Sequence, residues 1–370
     1  MGSAIALELA KQGKRVLGLE RFGPVHDRGS SHGESRIIRQ AYFESPDYVP
    51  LAIESYEMWR AIEKEADTEL MIIVGGLMMG TEESEAFAGS LKSARLHGLK
   101  HKVLGAAEIK RRYPVMRPTK DIFGFWEPMT GILRVEDCVR TMINLAVKYG
   151  ADLRFEREVK GWKSSDSGVK VTAGDEIFEA DQLVLSPGAW APELMDYIPM
   201  QPQRVVQHWV QPYDNADAFM LGNFPVHLWE VPGSEIASAG TVFYGMPGLN
   251  GVESGVKVAF HNVRESCDPN TVNREVCGME LLSMQLLLEK YLPDLDGEHV
   301  VSKTCMYTTT PDGHFVLGRY PLHSAVYLAC GFSGHGFKFS PVMAKALVDL
   351  MLDGKTDKPI EIFEPNRFDL

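Results

Sequence analysis

The chain has 370 residues, 45% of them hydrophobic and 24% charged, and carries a formal net charge of −12. That composition suits a globular protein with a substantial core and one or two domains, and the negative balance argues against nucleic acid as a partner. A run of about eighteen apolar residues, the minimum for a membrane span, is absent, so no membrane is expected; the five cysteines (Cys138, Cys267, Cys277, Cys305, Cys330) are scattered without a C-x-x-C pair, which argues against structural disulfides and a bound metal and for a cytoplasmic protein.

The chain opens on AIALELAKQG, a helix closed by Gly13, and then KRVLGLE, residues 14–20, which reads as a buried strand ending in an acid. This is the rear half of a Rossmann βαβ unit, with Gly2 as the last fingerprint glycine and Glu20, 18 positions on, as the ribose acid. The preceding strand and two glycines do not appear. A start set downstream, a shortened chain and a fold without that strand are the alternatives, and residues upstream are the expectation. Residues 21–42 form a polar, glycine-rich connection in which Arg36 and Arg39 share a face if the turn is helical. An amphipathic helix is expected over 48–65, a strand over Leu70–Met79, and helices over Glu82–Leu96 and Ala106–Tyr113. Strand and turn follow at 123–133.

Val135–Lys148 is predicted helical, followed by short strands at 152–156, 169–172, 176–179 and 183–185. SPGAW, residues 186–190, turns into a helix. Residues 199–262 are strand-rich and hold most of the aromatic material (Trp209, Phe219, Trp229, Phe243, Tyr244, Phe260), a pattern expected of a core or sheet face. Met279–Leu292 is a helix stopped by Pro293. Around 303–340 the order is strand, glycine turn, helix: Cys305 and Tyr307 lie on the strand, Gly331, Gly334 and Gly336 punctuate the turn with Ser333, His335 and Lys338, and Ser340-Pro341 opens the helix. A glycine turn allows close backbone approach to a flat ligand, and a helix N-terminus offers unpaired N–H groups. The fold class is α/β, with two domains built from interleaved segments.

Three stretches, SSHGESRIIRQAY at 30–42, CMYT at 305–308 and GFSGHGFKF at 331–339, make the chain resemble the monomeric sarcosine oxidase family of flavoenzymes, which includes N-methyltryptophan and pipecolate oxidases. The resemblance runs from residue 2 to about residue 367. It implies a Rossmann-like FAD-binding domain over 1–70, 133–198 and 302–370, and a discontinuous, sheet-containing substrate domain over 71–132 and 199–301. It further implies FAD bonded covalently at its 8α-methyl carbon to Cys305; a thiolate is the competent nucleophile for such a bond. Gly2, Glu20, Ser31, His32, Gly188, Gly336 and Phe337 complete the implied cofactor-binding set. Lys338 and Arg39 match residues that bind the substrate carboxylate, a sensible use of charge-assisted contacts.

Arg36 matches an arginine close over the flavin ring, and Gly334 a position whose carbonyl meets the substrate amine. Tyr244, Tyr307, Tyr42 and His261 match pocket residues. Lys257, which alone reads as a surface lysine on an alternating strand, matches the lysine that activates dioxygen, where a fixed cation stabilises developing negative charge. The implied activity is oxidation of a small secondary amino acid, sarcosine-like or cyclic, to an imine, with oxygen reduced to peroxide. Partners are the amino acid and oxygen, and the protein is expected to be a monomer. A same-fold dehydrogenase using another acceptor and a catalytically silent FAD-fold protein are the alternatives. Tyr307 narrows the implied pocket toward small substrates, and the residues assign no dedicated base.

Overall fold

A computed structural model describes residues 1–165, 168–195, 198–231, 242–261 and 265–368. The first helix, Gly2–Lys11, buries Ala4, Ile5, Ala6, Leu7 and Ala10. These mostly small side chains let it lie close against two other helices, Val135–Lys148 and Ser340–Asp353. The chain reverses at Gly13, whose positive φ of 69° suits glycine, and enters the strand Leu17–Leu19, which pairs in parallel with Asp152–Arg154. The strand expected to be buried is not: Leu17 is 39% exposed, because among the described residues this strand has a partner on one side only.

A second parallel pair, Leu183–Leu185 with Val326–Cys330, continues through Val316–Arg319. Val326–Cys330 is buried throughout, with Tyr327 and Ala329 in the cluster that holds the helix Ser340–Asp353 and Val326, Leu328 and Cys330 in the one that holds Val169 and Leu185, and it delivers the chain to the glycine turn. Ser340 Oγ donates to the Phe337 carbonyl at 2.6 Å and Pro341 occupies the first turn of the helix, so the predicted helix start holds.

The largest sheet among the described residues has nine strands. Gln201–Val210 is its spine: Val256–His261 flanks one side, and His299–Thr309, which carries Cys305, pairs along almost its whole length. The sheet runs on through Val242–Met246, Val226–Glu230, Gly76–Gly80, Phe123–Glu127 and Lys102–Gly105. Strand alternation divides the aromatic material between two faces. Trp229, Phe243, Val256, Val258 and Phe260 pack under the helix Gly278–Tyr291 with Phe219 and Phe224. Leu228, Tyr244, Met246 and Ala259 face the other way.

Two expected elements divide. The strand over Leu70–Met79 breaks at Gly75, with φ at +75°; Met71–Ile73 joins a small antiparallel sheet with Gly131–Arg134 and Ser35–Ile38, while Gly76–Gly80 joins the large one. The helix over Glu82–Leu96 starts as a π-turn, Glu85–Gly89, before becoming α-helical at Ser90–Leu96. Gly89 presses on the loop below it, where a Cβ would lie 2.6 Å from the Phe43 carbonyl oxygen. A strand missed by periodicity, Val159–Ser165, completes a three-stranded sheet with Gly168–Ala173 and Glu176–Ala180. Among the described residues no helix is long and apolar enough to cross a membrane.

Candidate active site

Cys305 is 1% exposed on the strand His299–Thr309. Its sulfur faces the connection that precedes Ser35–Ile38, 3.8 Å from the Ser30 carbonyl oxygen and 3.6 Å from Nη2 of Arg36. Arg36 is itself fixed, donating to the Ser35 and Ser30 carbonyls at 2.7 Å each. Positive charge is thus held beside the sulfur. Lys257, far from being a surface lysine, is 2% exposed. Its ammonium donates to the carbonyls of Gly33 at 2.7 Å and Ser35 at 2.9 Å, and lies 5.3 Å from the centre of the Trp209 ring. Burial, then the nearby Arg36, hold its pKa well below the usual lysine value.

Tyr42 organises the second group. Arg39 Cζ lies 4.1 Å above its ring centre and Lys338 Nζ 5.1 Å from it. Lys338 Nζ donates to Tyr42 Oη at 3.3 Å and to the His335 carbonyl at 2.8 Å. Trp59 Nε1 and Ser55 Oγ both donate to the Lys338 backbone oxygen, which pins the turn. Tyr42 keeps its proton, because burial raises its pKa, and His335 is neutral, its pKa lowered by burial to about 3; Tyr42 Oη therefore donates to Nδ1 of His335 at 2.6 Å, while Nε2 donates to the Gly313 carbonyl at 3.2 Å. The two predicted carboxylate-binding cations do converge. Reading the sequence missed the carboxylate already there: Glu44 accepts from Arg39 Nη2 at 2.6 Å. Burial opposes its ionisation, but Arg39, His335 and Lys338 together hold its pKa at about 2. Its position five residues after Arg39, across a turn, was the available signal.

Burial, with Arg39 next in size, lowers the Lys338 pKa to about 7. The lysine is cationic below that value and loses its charge above it. An amine-free carboxylate such as acetate, which has no proton of its own to lose in this range, is therefore expected to bind roughly tenfold more weakly as pH rises from about 6 to about 9. Flavin absorbance titrations across that range measure it, and a flat dissociation constant contradicts it.

Tyr307, Tyr244 and His261 form a third group. Tyr244 and Tyr307 are close enough to influence each other's ionisation, and His261 Nδ1 lies 3.4 Å from Tyr307 Oη. Burial holds His261 neutral at about 4 and raises Tyr244 to about 12, so all three are uncharged at neutral pH. The Tyr307 ring lies over Gly334: a Cβ there would meet Tyr307 Cδ2 at 2.5 Å, and φ is +83°. Gly334→Ala is expected to cost about 1–3 kcal/mol of stability and to weaken substrate binding by displacing the ring. Urea unfolding together with kcat/KM checks both, and a variant matching the parent in each would contradict the contact.

The remaining predicted residues lie along the connection and the strand ends. Gly2 begins the first helix, where a Cβ would come 2.9 Å from Ser186 Oγ, just past Leu183–Leu185. Gly188 opens the turn Gly188–Trp190 with φ at +59°. Glu20 follows Leu17–Leu19 and accepts from the Phe22 N–H at 2.9 Å. Ser31 is half-buried and His32 buried, beside Arg36. Gly336 has no room for a side chain, with Phe332 Cδ1 2.4 Å from where a Cβ would be. Phe337 stacks on Trp59, ring centres 6.0 Å apart. A surface hollow of about 400 Å³, lined by Ile73, Trp126 and Leu221 among others, contains none of these residues.

The residues fit a flavin. Four buried polar atoms on or against the turn at 32–35 lack a protein partner: both ring nitrogens of His32, Ser35 Oγ and Gln207 Oε1. Buried polar groups demand partners, and the N–H and carbonyl edges of an isoalloxazine are partners of that kind. The uncapped N-terminus at Gly2 suits a pyrophosphate.

The fold and these groups define a flavin-dependent oxidoreductase. Residues 1–350 match the DAO family of FAD dependent oxidoreductases, and the chain belongs to that family. It is 43% identical to monomeric sarcosine oxidase from Streptomyces avermitilis, over 99% of this chain and 95% of that protein. It is 31% identical to human peroxisomal sarcosine oxidase (99% and 93%) and 30% identical to N-methyl-L-tryptophan oxidase from Escherichia coli (100% and 96%). Among solved structures, L-proline dehydrogenase from P. horikoshii superposes with a TM-score of 0.83 at 24% identity, covering 99% of this chain and 94% of that one. The expected fold class is thereby met.

Proposed function

We propose that this enzyme oxidises a small, sarcosine-like secondary amino acid to an imine, which water hydrolyses, while oxygen is reduced to hydrogen peroxide. The observation that carries the reading is the meeting of Arg39 and Lys338 on one tyrosine ring, with Cys305, Arg36 and Lys257 grouped on the neighbouring strands. The family places FAD in this chain; we extend that to a thioether between its 8α carbon and Cys305. Bound FAD supplies the redox chemistry, accepting a hydride equivalent and passing electrons to oxygen. The protein supplies placement and charge.

In this reading Arg39 and Lys338 take the substrate carboxylate, which replaces Glu44 in the Arg39 fork. Tyr42 and His335 hold Lys338 in place. Tyr244, Tyr307 and His261 line the pocket as neutral groups, and the Gly334 carbonyl receives the amine. Lys257 stabilises negative charge as it develops on oxygen. Relatives named monomeric sarcosine oxidase support a monomer, and we place it in the cytoplasm. Anaerobic mixing with sarcosine, L-proline, L-pipecolate and N-methyltryptophan tests the reading. Sarcosine or a small cyclic imino acid is expected to bleach the flavin absorbance, and faster than N-methyltryptophan; bleaching by none of the four overturns it.

A further inference from the structure

The turn that holds Lys257 is itself held by two carboxylates that have no part in the reading above. Glu136, in the first turn of Val135–Lys148, accepts from the N–H groups of Gly33 at 2.7 Å and Glu34 at 3.0 Å. The Glu34 carbonyl in turn accepts from the Val135 N–H at 3.2 Å. Glu34 has a φ of +70°, unusual for a residue with a side chain. A conformation of that kind persists only when its surroundings enforce it. Here its carboxylate is gripped from the large sheet, by Trp209 Nε1 at 2.8 Å and by Asn250 Nδ2. Gly33 leaves no alternative, since a Cβ there would lie 2.1 Å from Gln207 Oε1. The carbonyls on either side of Glu34, those of Gly33 and Ser35, are the two acceptors of the Lys257 ammonium.

We propose that Glu34 and Glu136 are positioning residues for Lys257: together they fix the turn at 33–35 so that its carbonyls hold the side-chain nitrogen in place. This rests on the reading of Lys257 as the group that serves oxygen. The charged and titratable groups facing Lys257 are Arg36, Cys305, Glu34, Glu136 and His32, and beyond the Trp209 ring Lys303. Arg36 works against its charge; Glu34 and Glu136 work for it. A buried ammonium near an arginine needs such opposition to remain charged.

The test compares Glu34→Gln, Glu136→Gln and Lys257→Met in the flavin-loaded enzyme. Glutamine keeps an acceptor oxygen at each site and removes the charge. Each glutamine variant is expected to lose about tenfold in oxygen-dependent reoxidation at neutral pH, with the loss recovered as pH falls. Anaerobic bleaching by substrate is expected to keep its rate. Independently of turnover, NMR of ¹³Cε-labelled lysine, assigned by the resonance missing in Lys257→Met, is expected to show Lys257 titrating about one pH unit lower in each variant. An unchanged titration in both glutamine variants overturns the proposal, as does a pH-independent loss that slows bleaching equally, which is the mark of simple misfolding. Should Lys257→Met leave reoxidation unaltered, the oxygen role fails, and the NMR titration still decides whether the two carboxylates govern the lysine.

Discussion

Lys257→Met is expected to lower oxygen-dependent turnover by about 10²–10³-fold, the range for removing one pre-positioned charge-stabilising donor. The expectation follows from geometry. Lys257 is 2% exposed and its Nζ is bonded to two backbone carbonyls, so no reorganisation is needed when charge develops near it. Lys257 makes no contact with the group around Tyr42, the proposed carboxylate site, among the described hydrogen bonds, so the anaerobic rate of flavin bleaching by substrate is expected to stay within about threefold of the parent. Rapid mixing, first without and then with oxygen, separates the two half-reactions. Equal losses in both would move Lys257 out of the oxygen role and into general support of the site.

The second large effect lies on the substrate side. Arg39→Met is expected to lower kcat/KM by about 2–5 kcal/mol, the cost of truncating one partner of a buried, hydrogen-bonded charge pair. It also strands Glu44, whose pKa of about 2 depends on Arg39, and a buried carboxylate left without its partner costs about 3–5 kcal/mol of stability. The two losses are separable. Arg39→Met with Glu44→Gln is expected to regain much of the stability and none of the substrate affinity. Denaturant midpoints and steady-state kinetics on the single and double variants give the comparison. A double variant that regains kcat/KM would mean that the arginine serves Glu44 and not the substrate.

The glycine turn and the helix that starts at Ser340-Pro341 were legible in place, because glycines mark where the chain turns and Ser-Pro marks where the helix begins; the apolar strand Val326–Cys330 that leads into them was not singled out, since the strand read ahead of the turn was the one that carries Cys305. Lys257 shows the opposite case. On an alternating strand it looks solvent-facing, and what buries it is a pair of carbonyls more than 200 positions away, at Gly33 and Ser35; only the resemblance singled it out. Glu44 and Glu34 were missed for a related reason. Each lies in a polar connection where a carboxylate is ordinarily a solvated residue, and its partners, Lys338 and His335 for one and Trp209 for the other, come from distant strands and turns. The break at Gly75 escaped because Leu70–Met79 is apolar throughout, so hydrophobicity gave no sign that its two halves belong to different sheets. The π-turn at Glu85–Gly89 reflects a tertiary contact, Gly89 on Phe43, that helical periodicity does not encode.

The proposed roles of Arg36, Lys257, Arg39 and Lys338 all depend on where the ring of FAD sits, and Cys305 is its proposed anchor. The direct measurement is mass spectrometry of the proteolytic peptide that contains Cys305, taken from denatured holoenzyme after alkylation of free thiols. This peptide is expected to carry the flavin and to resist alkylation, and the yellow colour is expected to stay with the protein through acid precipitation. A peptide alkylated at Cys305, with the flavin released into the supernatant, would contradict it.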